Sequence, residues 1–422
     1  MPQVTDTDFS RPLRVVILGL GARGRVYSAY AERNPSRIEV LCAADTVVRS
    51  GLYPVFPRWE DALAEGARRG AEAAVIALPD SLHASASAAA MRLGIDILLE
   101  KPFGCSMEEC DAVRRVQRET GRLVLAGYVL RFSPYYRRLA RIVASGEIGD
   151  IVSIHHLASI GFGKASHAFC RGNWSVEANG ASALVQKCSH DFDLIGWWTG
   201  GRRCRRISSF GSLVHWRPEN APEGSSDRCV DCAAATRAKC PFDAERLYVD
   251  DTSLRYHFAA MDDESMRSVV SESPYGRCVY RCGNDAVDHQ TVMMEYEGGI
   301  VATLSMEFYT RDRVRLTRFF GTRGEIAADG RAISVRPFIG EPYVVEPHQE
   351  GTHGGGDDAL VRAFIHLVRA GNSPARNARI FDSEMSSHRL AFAAEEARRG
   401  CQAAIELETQ QPEAYETAKR NT

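Results

Sequence analysis

Short apolar runs alternate with helix-compatible segments along the first third of the chain. The runs are nearly all apolar, as in parallel strands that are buried on both faces, and they cover residues 13–20, 38–44, 73–78, 95–99 and 123–129. The segments between them predict helices at residues 59–69, 81–93 and 106–119. This order predicts an α/β domain over residues 1–130, with a doubly wound parallel sheet covered by helices.

Longer runs that alternate apolar and polar positions follow from residue 131 onward. They predict strands at residues 151–158, 292–296 and 300–308, with a hairpin turn at Gly298-Gly299. Further segments predict helices at residues 134–145, 189–199, 357–370 and 383–399. We therefore expect a second α/β domain over residues 131–408, built on a large, mostly antiparallel open sheet, and a polar tail at residues 409–422. The open sheet face favours a homo-oligomer, either a dimer or a tetramer.

A glycine-rich turn follows the first predicted strand. In Gly19-Leu20-Gly21-Ala22-Arg23-Gly24 the first glycine permits a tight turn, the second lets the backbone approach a pyrophosphate, and the third lets a helix pack closely on its strand. The second predicted strand ends beside Asp45, about 20 residues further on, where a carboxylate accepts the ribose hydroxyls and repels a 2′-phosphate. The pattern predicts a dinucleotide site and favours NAD over NADP.

Composition narrows the class of protein. A chain of 422 residues exceeds what one hydrophobic core usually serves, and 45% hydrophobic with 25% charged residues is ordinary for a globular protein. The formal net charge of −2 gives no electrostatic reason to expect nucleic acid or an anionic membrane surface as a partner. No apolar run reaches the roughly 18 residues of a membrane helix, and the first residues lack the apolar core of a signal peptide. We expect a cytoplasmic protein that binds a small molecule.

Three of the twelve cysteines stand at a spacing that metal sites use. Cys229 and Cys232 form a C-x2-C pair, and Cys240 follows in an insertion near residues 217–245. A structural zinc ion would need a fourth ligand from elsewhere in the fold, for which the candidates are Cys204, His215, Cys278 and Cys282. Free thiols, or a disulfide formed on oxidation, are the alternative interpretations.

Further motifs stand at strand ends and in the second half of the chain. They are Leu78-Pro79-Asp80-Ser81-Leu82-His83, the segment that ends in Glu100-Lys101-Pro102, and Ser189-His190-Asp191-Phe192-Asp193. With these motifs and the glycine loop, the chain resembles the glucose-fructose oxidoreductase, inositol dehydrogenase and MocA family. The resemblance implies a Rossmann domain, a nicotinamide cofactor, and hydride transfer to or from a sugar, cyclitol or related polyol.

The first two of these motifs directly follow predicted strands, so their side chains should point into the ligand crevice of the sheet. We therefore expect Leu78, Pro79, Glu100 and Lys101, together with the glycine loop, to contact the cofactor. His83 either lies near the nicotinamide or stabilises the turn after the third strand.

The chemistry of hydride transfer assigns roles to two residues. Oxidation of a secondary alcohol leaves an alkoxide-like oxygen, so the site needs a proton acceptor and a fixed positive charge near that oxygen. An imidazole with an ordinary pKa of about 6.5 accepts a proton near neutral pH, and an ammonium stabilises the negative charge. We predict His190 as the base and Lys101 as its electrostatic partner, roles that the resemblance also implies. The alternatives are a structural histidine and a surface lysine paired with Glu100.

One position departs from the pattern of the family. Members that resemble inositol dehydrogenase carry an aspartate four residues before this histidine, whereas this chain has Gln186, which cannot exchange protons at neutral pH. Lys187 stands beside it and changes the local charge. Asp193 is placed either to orient the imidazole or to form a local hydrogen bond. The groups that suit a hydroxyl-rich substrate, or else core packing, are Tyr128, Arg131, Trp174, Lys187 and His353.

Three functions from different classes agree with these features. The first is an NAD-dependent dehydrogenase or ketoreductase that acts on a sugar, cyclitol or similar polyol. The second is a redox-neutral epimerase or glycosidase that uses bound NAD transiently, and the third is a non-catalytic sensor that binds a dinucleotide. The presence of Lys101 and His190 favours an enzyme over a sensor.

Overall fold

The structure, a computed structural model, describes residues 11–47, 51–258, 262–400 and 404–407. These residues form two β-sheets that are packed with helices, and the predicted fold class is confirmed. The predicted polar tail at residues 409–422 lies outside the described residues. None of the helices in the described ranges is long and apolar enough to cross a membrane.

The first sheet is parallel and has six strands. They are β1 Leu13–Leu18, β2 Ile38–Ala44, β3 Val55–Phe56, β4 Ala73–Ile76, β5 Asp96–Leu99 and β6 Val124–Ala126, and the accompanying helices are α1 Ala22–Arg33, α2 Trp59–Arg68, α3 His83–Arg92 and α4 Met107–Thr120. The strand order is β3-β2-β1-β4-β5-β6. All five predicted strands are present. The sixth strand, β3, was not predicted, because its two residues are too few to show an apolar pattern. In this order the connections reverse between β1 and β4, which opens a ligand crevice at the carboxyl ends of the strands.

The second sheet has nine strands. They are β7 Ile151–Ser159, β8 Cys204–Ser212, β9 His289–Tyr296, β10 Val301–Glu307, β11 Arg315–Gly321, β12 Gly324–Ala328, β13 Ile333–Pro337, β14 Tyr343–Val345 and β15 Ile405–Glu406. Their order is β14-β13-β12-β11-β7-β10-β9-β8-β15, and only β7 and β10 pair in parallel. The sequence predicted β7, β9 and β10. It missed strands such as β8, because charged side chains of Arg205 and Arg206 on the exposed side interrupt the apolar pattern.

The two faces of the second sheet differ. Its helices are α5 Pro134–Ser145, α6 Phe162–Ala165, α7 Ala183–Trp198, α8 Ala234–Lys239, α9 Asp263–Glu272, α10 Gly356–Arg369 and α11 Pro374–Arg399. On β9, Val292 and Met294 are buried while Met293 between them is 53% exposed. Further exposed apolar side chains lie on β7, β8, β10 and β11, namely Val152, Phe210, Val301 and Leu316. The sheet therefore presents a partly apolar face to solvent.

Two helices of the second half begin earlier than the sequence predicted. Helix α7 begins at Ala183 because the Ser182 hydroxyl caps it, accepting a hydrogen bond from the backbone N–H of Val185 at 3.3 Å. Helix α11 begins with Pro374 in its first turn, a position that suits proline. The Glu384 carboxylate of α11 accepts from the N–H of Ala126 on β6 at 3.0 Å. Helix α11 thereby connects the second half of the chain to the first sheet.

The cysteine-containing insertion is longer than the segment near residues 217–245 that the sequence predicted. The described residues of the segment between β8 and β9, 213–258 and 262–288, lie outside the sheet and have a small hydrophobic core of their own that includes Leu247, Tyr248 and Met266. The carbonyl of Tyr256 in this segment accepts a hydrogen bond from Arg25 on α1 at 2.9 Å. The insertion thus reaches across to the nucleotide-binding part of the molecule.

Candidate active site

The glycine loop connects β1 to α1 with little room for side chains. Gly19 has φ +91°, and a Cβ on it would lie 2.4 Å from the carbonyl oxygen of Ala77. A Cβ on Gly24 would lie 1.8 Å from the carbonyl oxygen of Gly19. A Cβ on Gly21, the N-cap of α1, would meet no atom within 4 Å. The loop therefore leaves open space at the start of α1, where the backbone N–H groups of Ala22 and Arg23 have no intrahelical partner, and this arrangement fits a pyrophosphate.

Asp45 follows β2 beside the same loop. One carboxylate oxygen accepts from the N–H of Leu20 at 2.9 Å, and the other accepts from the N–H of Val47 at 2.8 Å. These bonds hold the carboxylate at the edge of the crevice, which is where the ribose of a dinucleotide binds in sheets of this order.

The structure does not support cofactor contacts by the side chains of Arg23 and Glu100. The Arg23 guanidinium bonds Glu100 at 2.6 Å and Asp357 at 2.7 Å, and the Tyr27 hydroxyl also donates to Glu100. Burial by itself would raise the pKa of the Glu100 carboxyl, but the Arg23 charge, the hydrogen bonds from Tyr27 and Arg23, and the Lys101 charge together lower it. These charges are satisfied internally, and Arg23 links α1 to α10.

His83 holds two strand-end turns together. Its Nδ1 lies 2.5 Å from the carbonyl oxygen of Pro102, its Nε2 lies 2.9 Å from the carbonyl oxygen of Leu78, and the residue is 1% exposed. Both ring nitrogens are engaged, so His83 stabilises the turn after β4 and is not available for the nicotinamide. Leu78 and Pro79 lie at the carboxyl end of β4, at the edge of the crevice.

Lys101 reaches from the first sheet to α7. It follows β5, and its Nζ donates to the backbone carbonyl of Gln186 at 2.6 Å. It also lies 5.7 Å from the centre of the Trp174 ring. Burial lowers the pKa of the Lys101 ammonium, while the carboxylates of Glu100 and Asp80 counteract this effect.

His190 lies one helical turn after Gln186 on α7. Its Nδ1 and the side-chain Oε1 of Gln186 are buried atoms without a hydrogen-bond partner among the described residues. Burial, followed by the charges of Lys101 and Arg315, lowers the pKa of His190 well below its ordinary value. An ordinary imidazole pKa was expected from the sequence, and the structure corrects this expectation: the ring is neutral near pH 7 and can accept a proton.

Asp80 is a site residue that the sequence analysis did not single out. Its carboxylate accepts from the Trp174 indole N–H at 3.1 Å and from the Gln186 side-chain amide. It therefore brings a negative charge next to the side-chain amide of Gln186, one helical turn before His190. The available signal was its place directly after β4.

Asp193 does not orient His190. Its carboxylate bonds Arg131 at 2.6 Å and accepts from the Ser387 hydroxyl at 3.3 Å. Arg131, predicted to bind substrate, is thereby engaged in an ion pair and lies 5.5 Å from the centre of the Trp197 ring. Both residues therefore help to hold α7 in place.

Two other predicted substrate residues have structural partners. Tyr128 is 1% exposed, its hydroxyl lies 2.7 Å from His388 Nδ1, and its ring packs edge-on against His190 with the centres 5.6 Å apart. Tyr128 therefore supports the imidazole instead of binding a hydroxyl. His353 has φ 49°, and its Nδ1 lies 2.7 Å from the Asp357 carboxylate.

A buried ion pair anchors the helix turn that carries the imidazole. Asp191 accepts from Arg315 on β11 at 2.5 Å and lies 2.8 Å from His156 Nε2 on β7. Burial opposes ionisation, but the charge of Arg315 and the hydrogen bonds from His156 and Arg315 together keep the pKa of Asp191 far below its ordinary value. This network fixes α7 on the sheet, and no local pattern in the sequence indicates it.

The structure brings the three predicted zinc ligands together with a fourth thiol. Cys229, Cys232, Cys240 and Cys278 line one cavity of about 20 Å³. The buried Arg171 donates to the Cys229 sulfur at 3.5 Å. Among the described residues, however, no group of three or more ligand side chains is arranged to hold a metal ion.

Comparison with protein families covers both parts of the chain. Residues 13–128 match a family described as an oxidoreductase family with an NAD-binding Rossmann fold, and residues 136–239 match a family described as the GFO/IDH/MocA C-terminal domain. Among curated proteins, a putative oxidoreductase YteT of Bacillus subtilis is 24% identical over 68% of this chain and 70% of its own length. An inositol 2-dehydrogenase of Corynebacterium glutamicum is 28% identical over 46% of this chain and 56% of its own length.

Solved structures share the fold over almost the whole chain. GenD2 from gentamicin A biosynthesis, solved with NAD, superposes with a TM-score of 0.66 at 16% identity and covers 97% of this chain and 99% of its own. An inositol dehydrogenase homologue from Azotobacter vinelandii, solved with NADH and myo-inositol, superposes with a TM-score of 0.64 at 14% identity, over 94% and 98% of the two chains. At these identities the likeness establishes the fold.

Proposed function

The chain belongs to the GFO/IDH/MocA family of oxidoreductases, and from this membership we propose that it transfers a hydride between NAD and a secondary alcohol or ketone of a sugar, cyclitol or related polyol. The observation that carries the proposal is the placement of Lys101. Its ammonium bonds the α7 backbone at Gln186, one turn before His190. A fixed cation and a neutral imidazole therefore come together where the strand ends of the nucleotide-binding sheet face α7.

The residues present fit a nicotinamide dinucleotide. The open space at Gly21 and the unpartnered N–H groups at the start of α1 would receive the pyrophosphate, and Asp45 would accept the ribose hydroxyls. When bound, NAD supplies the hydride acceptor for oxidation of a carbinol. The side chains of the protein then have to manage the hydroxyl proton and the charge on its oxygen.

His190 and Lys101 perform these two tasks. The neutral imidazole of His190 removes the hydroxyl proton as the carbinol carbon loses its hydride, so the alcohol becomes a ketone and His190 becomes an imidazolium. The Lys101 ammonium stabilises the negative charge that develops on the substrate oxygen, and burial strengthens this interaction. Gln186 donates or accepts a hydrogen bond but exchanges no proton, so the proton stays on His190 until solvent or the reverse reaction removes it.

A panel of polyols with NAD tests the proposed function. We expect absorbance at 340 nm to rise with at least one sugar or cyclitol, because net oxidation forms NADH. Turnover without net NADH, together with cofactor retained through purification, would indicate a redox-neutral epimerase or glycosidase instead. Cofactor binding with no change in any substrate would favour a sensor.

Cofactor choice has a separate test. If Asp45 faces the ribose, NADP should bind at least about tenfold more weakly than NAD, because the carboxylate would repel the 2′-phosphate. Replacing Asp45 by serine should narrow that difference, as measured by quenching of protein fluorescence. The Asp61→Ser variant, altered at an exposed position on α2, serves as control. Equal affinities of the wild-type protein for NAD and NADP would refute this role of Asp45.

Three finer predictions accompany the proposed function. The domain boundary lies near residue 130, and the exposed apolar face of the second sheet supports assembly into a dimer or tetramer. The cavity lined by four cysteines supports a structural zinc site in the insertion if the thiols converge around the ion. Metal analysis under reducing conditions tests the last point, and less than roughly a tenth of an equivalent of zinc would contradict it.

A further inference from the structure

Three cations near the candidate active site have no acidic partner among the described residues. They are Lys164 on α6, Lys187 on α7 and Arg313 before β11, and we call them the cationic cluster. No ion pair joins any of the three to a carboxylate in the described part of the chain, in which Lys164 and Lys187 are half-buried and Arg313 is exposed. Lys187 directly follows Gln186, the residue whose carbonyl accepts from Lys101. The cluster therefore borders the site of Lys101 and His190.

Packing brings the cluster together from three separate segments. The side chain of Arg313 lies against the start of α6, since a Cβ on Gly161 would be 2.6 Å from Arg313 Cγ. Burial, followed by the charges of Lys187, Arg313 and Lys101, lowers the pKa of Lys164 to about 6. Burial, followed by the charges of Arg315, Lys101 and Arg313, lowers the pKa of Lys187 to about 7. Like charges this close favour the loss of protons from the two lysines unless an anion is present to hold them in the charged form.

The nearby carboxylates are already engaged elsewhere. Asp191 bonds Arg315 and His156, and Asp80 bonds Trp174 and the Gln186 amide. Asp191 counteracts the pKa shift of Lys187 only in part, since burial and the charges of Arg315, Lys101 and Arg313 outweigh it. The protein therefore supplies no full counter-charge to the cluster.

The insertion adds a neutral partner rather than a negative one. His257 Nε2 lies 2.5 Å from Lys164 Nζ, and the Tyr256 ring centre lies 5.7 Å from the same atom. Burial and then the Lys164 charge lower the pKa of His257 to about 3, so its ring is neutral and accepts the hydrogen bond. The insertion thus helps to enclose and orient Lys164 and supplies no negative charge to it.

We propose that the cationic cluster binds an anionic group of the substrate, a carboxylate or a phosphate carried by the sugar or cyclitol. This inference rests on the proposed function, because it places the anion on the molecule that Lys101 and His190 oxidise or reduce. Ammonium and guanidinium groups form charge-assisted hydrogen bonds with both kinds of anion. A neutral polyol would leave the cluster without a counter-charge, whereas an anionic one completes it.

Binding to the NAD-loaded protein tests the proposal separately from turnover. Calorimetry with glucose, glucuronate and glucose 6-phosphate compares a neutral sugar with its carboxylate and phosphate counterparts, and bound NAD keeps the pyrophosphate site filled. We expect at least one of the two anions to bind roughly tenfold or more tightly than glucose, and the better one identifies the anionic group. Affinities that do not favour either anion would overturn the proposal, even if NADH forms with neutral polyols. If an anion binds more tightly but no NADH forms, the proposed anion site is supported and the proposed function is contradicted.

A matched pair of variants locates the anion site. Arg313→Gln should weaken binding of the preferred anion by about 10-fold to 100-fold and leave glucose binding unchanged. Arg311→Gln removes an equally exposed charge from the same segment and should change neither affinity. Equal effects of the two substitutions on anion binding would mean that only the general positive charge of this surface matters, and the cluster would not be the site.

Proton uptake provides a second readout. An anion beside Lys187 and Lys164 raises the pKa of both ammonium groups and so opposes the lowering by Arg313, Arg315 and Lys101. The neighbouring Asp191 stays ionised and the His257 ring stays neutral when the anion binds. Near pH 7.5, where both lysines are partly deprotonated, binding of glucuronate should therefore take up protons. Calorimetry in buffers of different ionisation enthalpy measures the number of protons taken up per bound anion. Net proton release would contradict the proposal.

Discussion

Replacement of His190 by asparagine is expected to lower kcat by about 10²-fold to 10⁴-fold, the usual contribution of a general base. Asparagine keeps a hydrogen-bonding group beside Tyr128 but cannot accept the hydroxyl proton. Stopped-flow or steady-state formation of NADH measures kcat, and fluorescence titration with NADH should show nearly unchanged affinity. Because the imidazole does not touch the predicted pyrophosphate site, a loss of cofactor binding would point to misfolding rather than to lost chemistry.

The pH dependence of the wild-type enzyme provides an independent check of His190. Burial and the charge of Lys101 lower the pKa of this imidazole, so it stays neutral below its ordinary value of 6.5. We therefore expect that protonation of His190 does not lower kcat/KM for alcohol oxidation as the pH falls from 7.5 to about 6.5. The His155→Asn variant, altered at an exposed position of β7, is the matched control. Unchanged turnover in His190→Asn would exclude His190 as the base.

Replacement of Lys101 by methionine is expected to reduce kcat by about 10²-fold to 10³-fold, the cost of removing one preorganised group that stabilises an oxyanion. Methionine nearly matches the length of the side chain and removes its charge, so the effect reports electrostatics more than packing. The loss should appear in kcat more than in the KM for NAD, since Lys101 acts on the substrate oxygen.

Stability measurements separate this catalytic effect from a structural one. Burial disfavours the charged form of Lys101, so removing this charge offsets part of the stability that is lost with the hydrogen bond to Gln186. The thermal midpoint of Lys101→Met should therefore stay within a few degrees of the wild-type value. Lys239→Met, altered at an exposed position of α8, controls for loss of a positive charge. A Lys101→Met enzyme with wild-type kcat would show that the ammonium does not stabilise the oxyanion.

Much of the first sheet could be predicted from the sequence because most of its strands are buried on both faces. A nearly continuous apolar run is a local property, and β1, β4 and β6 each show one. The glycine loop is also local, since its three glycines act within a single turn. By contrast, β8 and β11 to β15 have one solvent face or only a few residues, and charged side chains hide their periodicity.

The partners of charged side chains could not be predicted in the same way. Asp193 lies at helical spacing from His190, yet it pairs with Arg131, far away in the sequence. Arg23 belongs to the phosphate-binding motif, yet its guanidinium bonds Glu100 and Asp357. An ion pair forms wherever the fold brings opposite charges together and buries them, and sequence spacing carries no information about that.

The sequence by itself determined the family, the parallel nucleotide-binding sheet, the glycine loop and the two residues proposed for catalysis, because these depend on short contiguous patterns. Only the tertiary structure decided which of the candidate residues meet. It placed Lys101 against the helix of His190, engaged Arg131 and Tyr128 in structural contacts, and brought Lys164, Lys187 and Arg313 together from three distant segments. The physical reason is that burial and charge act through space, so the pKa of each group and its freedom to bind a ligand depend on neighbours that the linear order does not reveal.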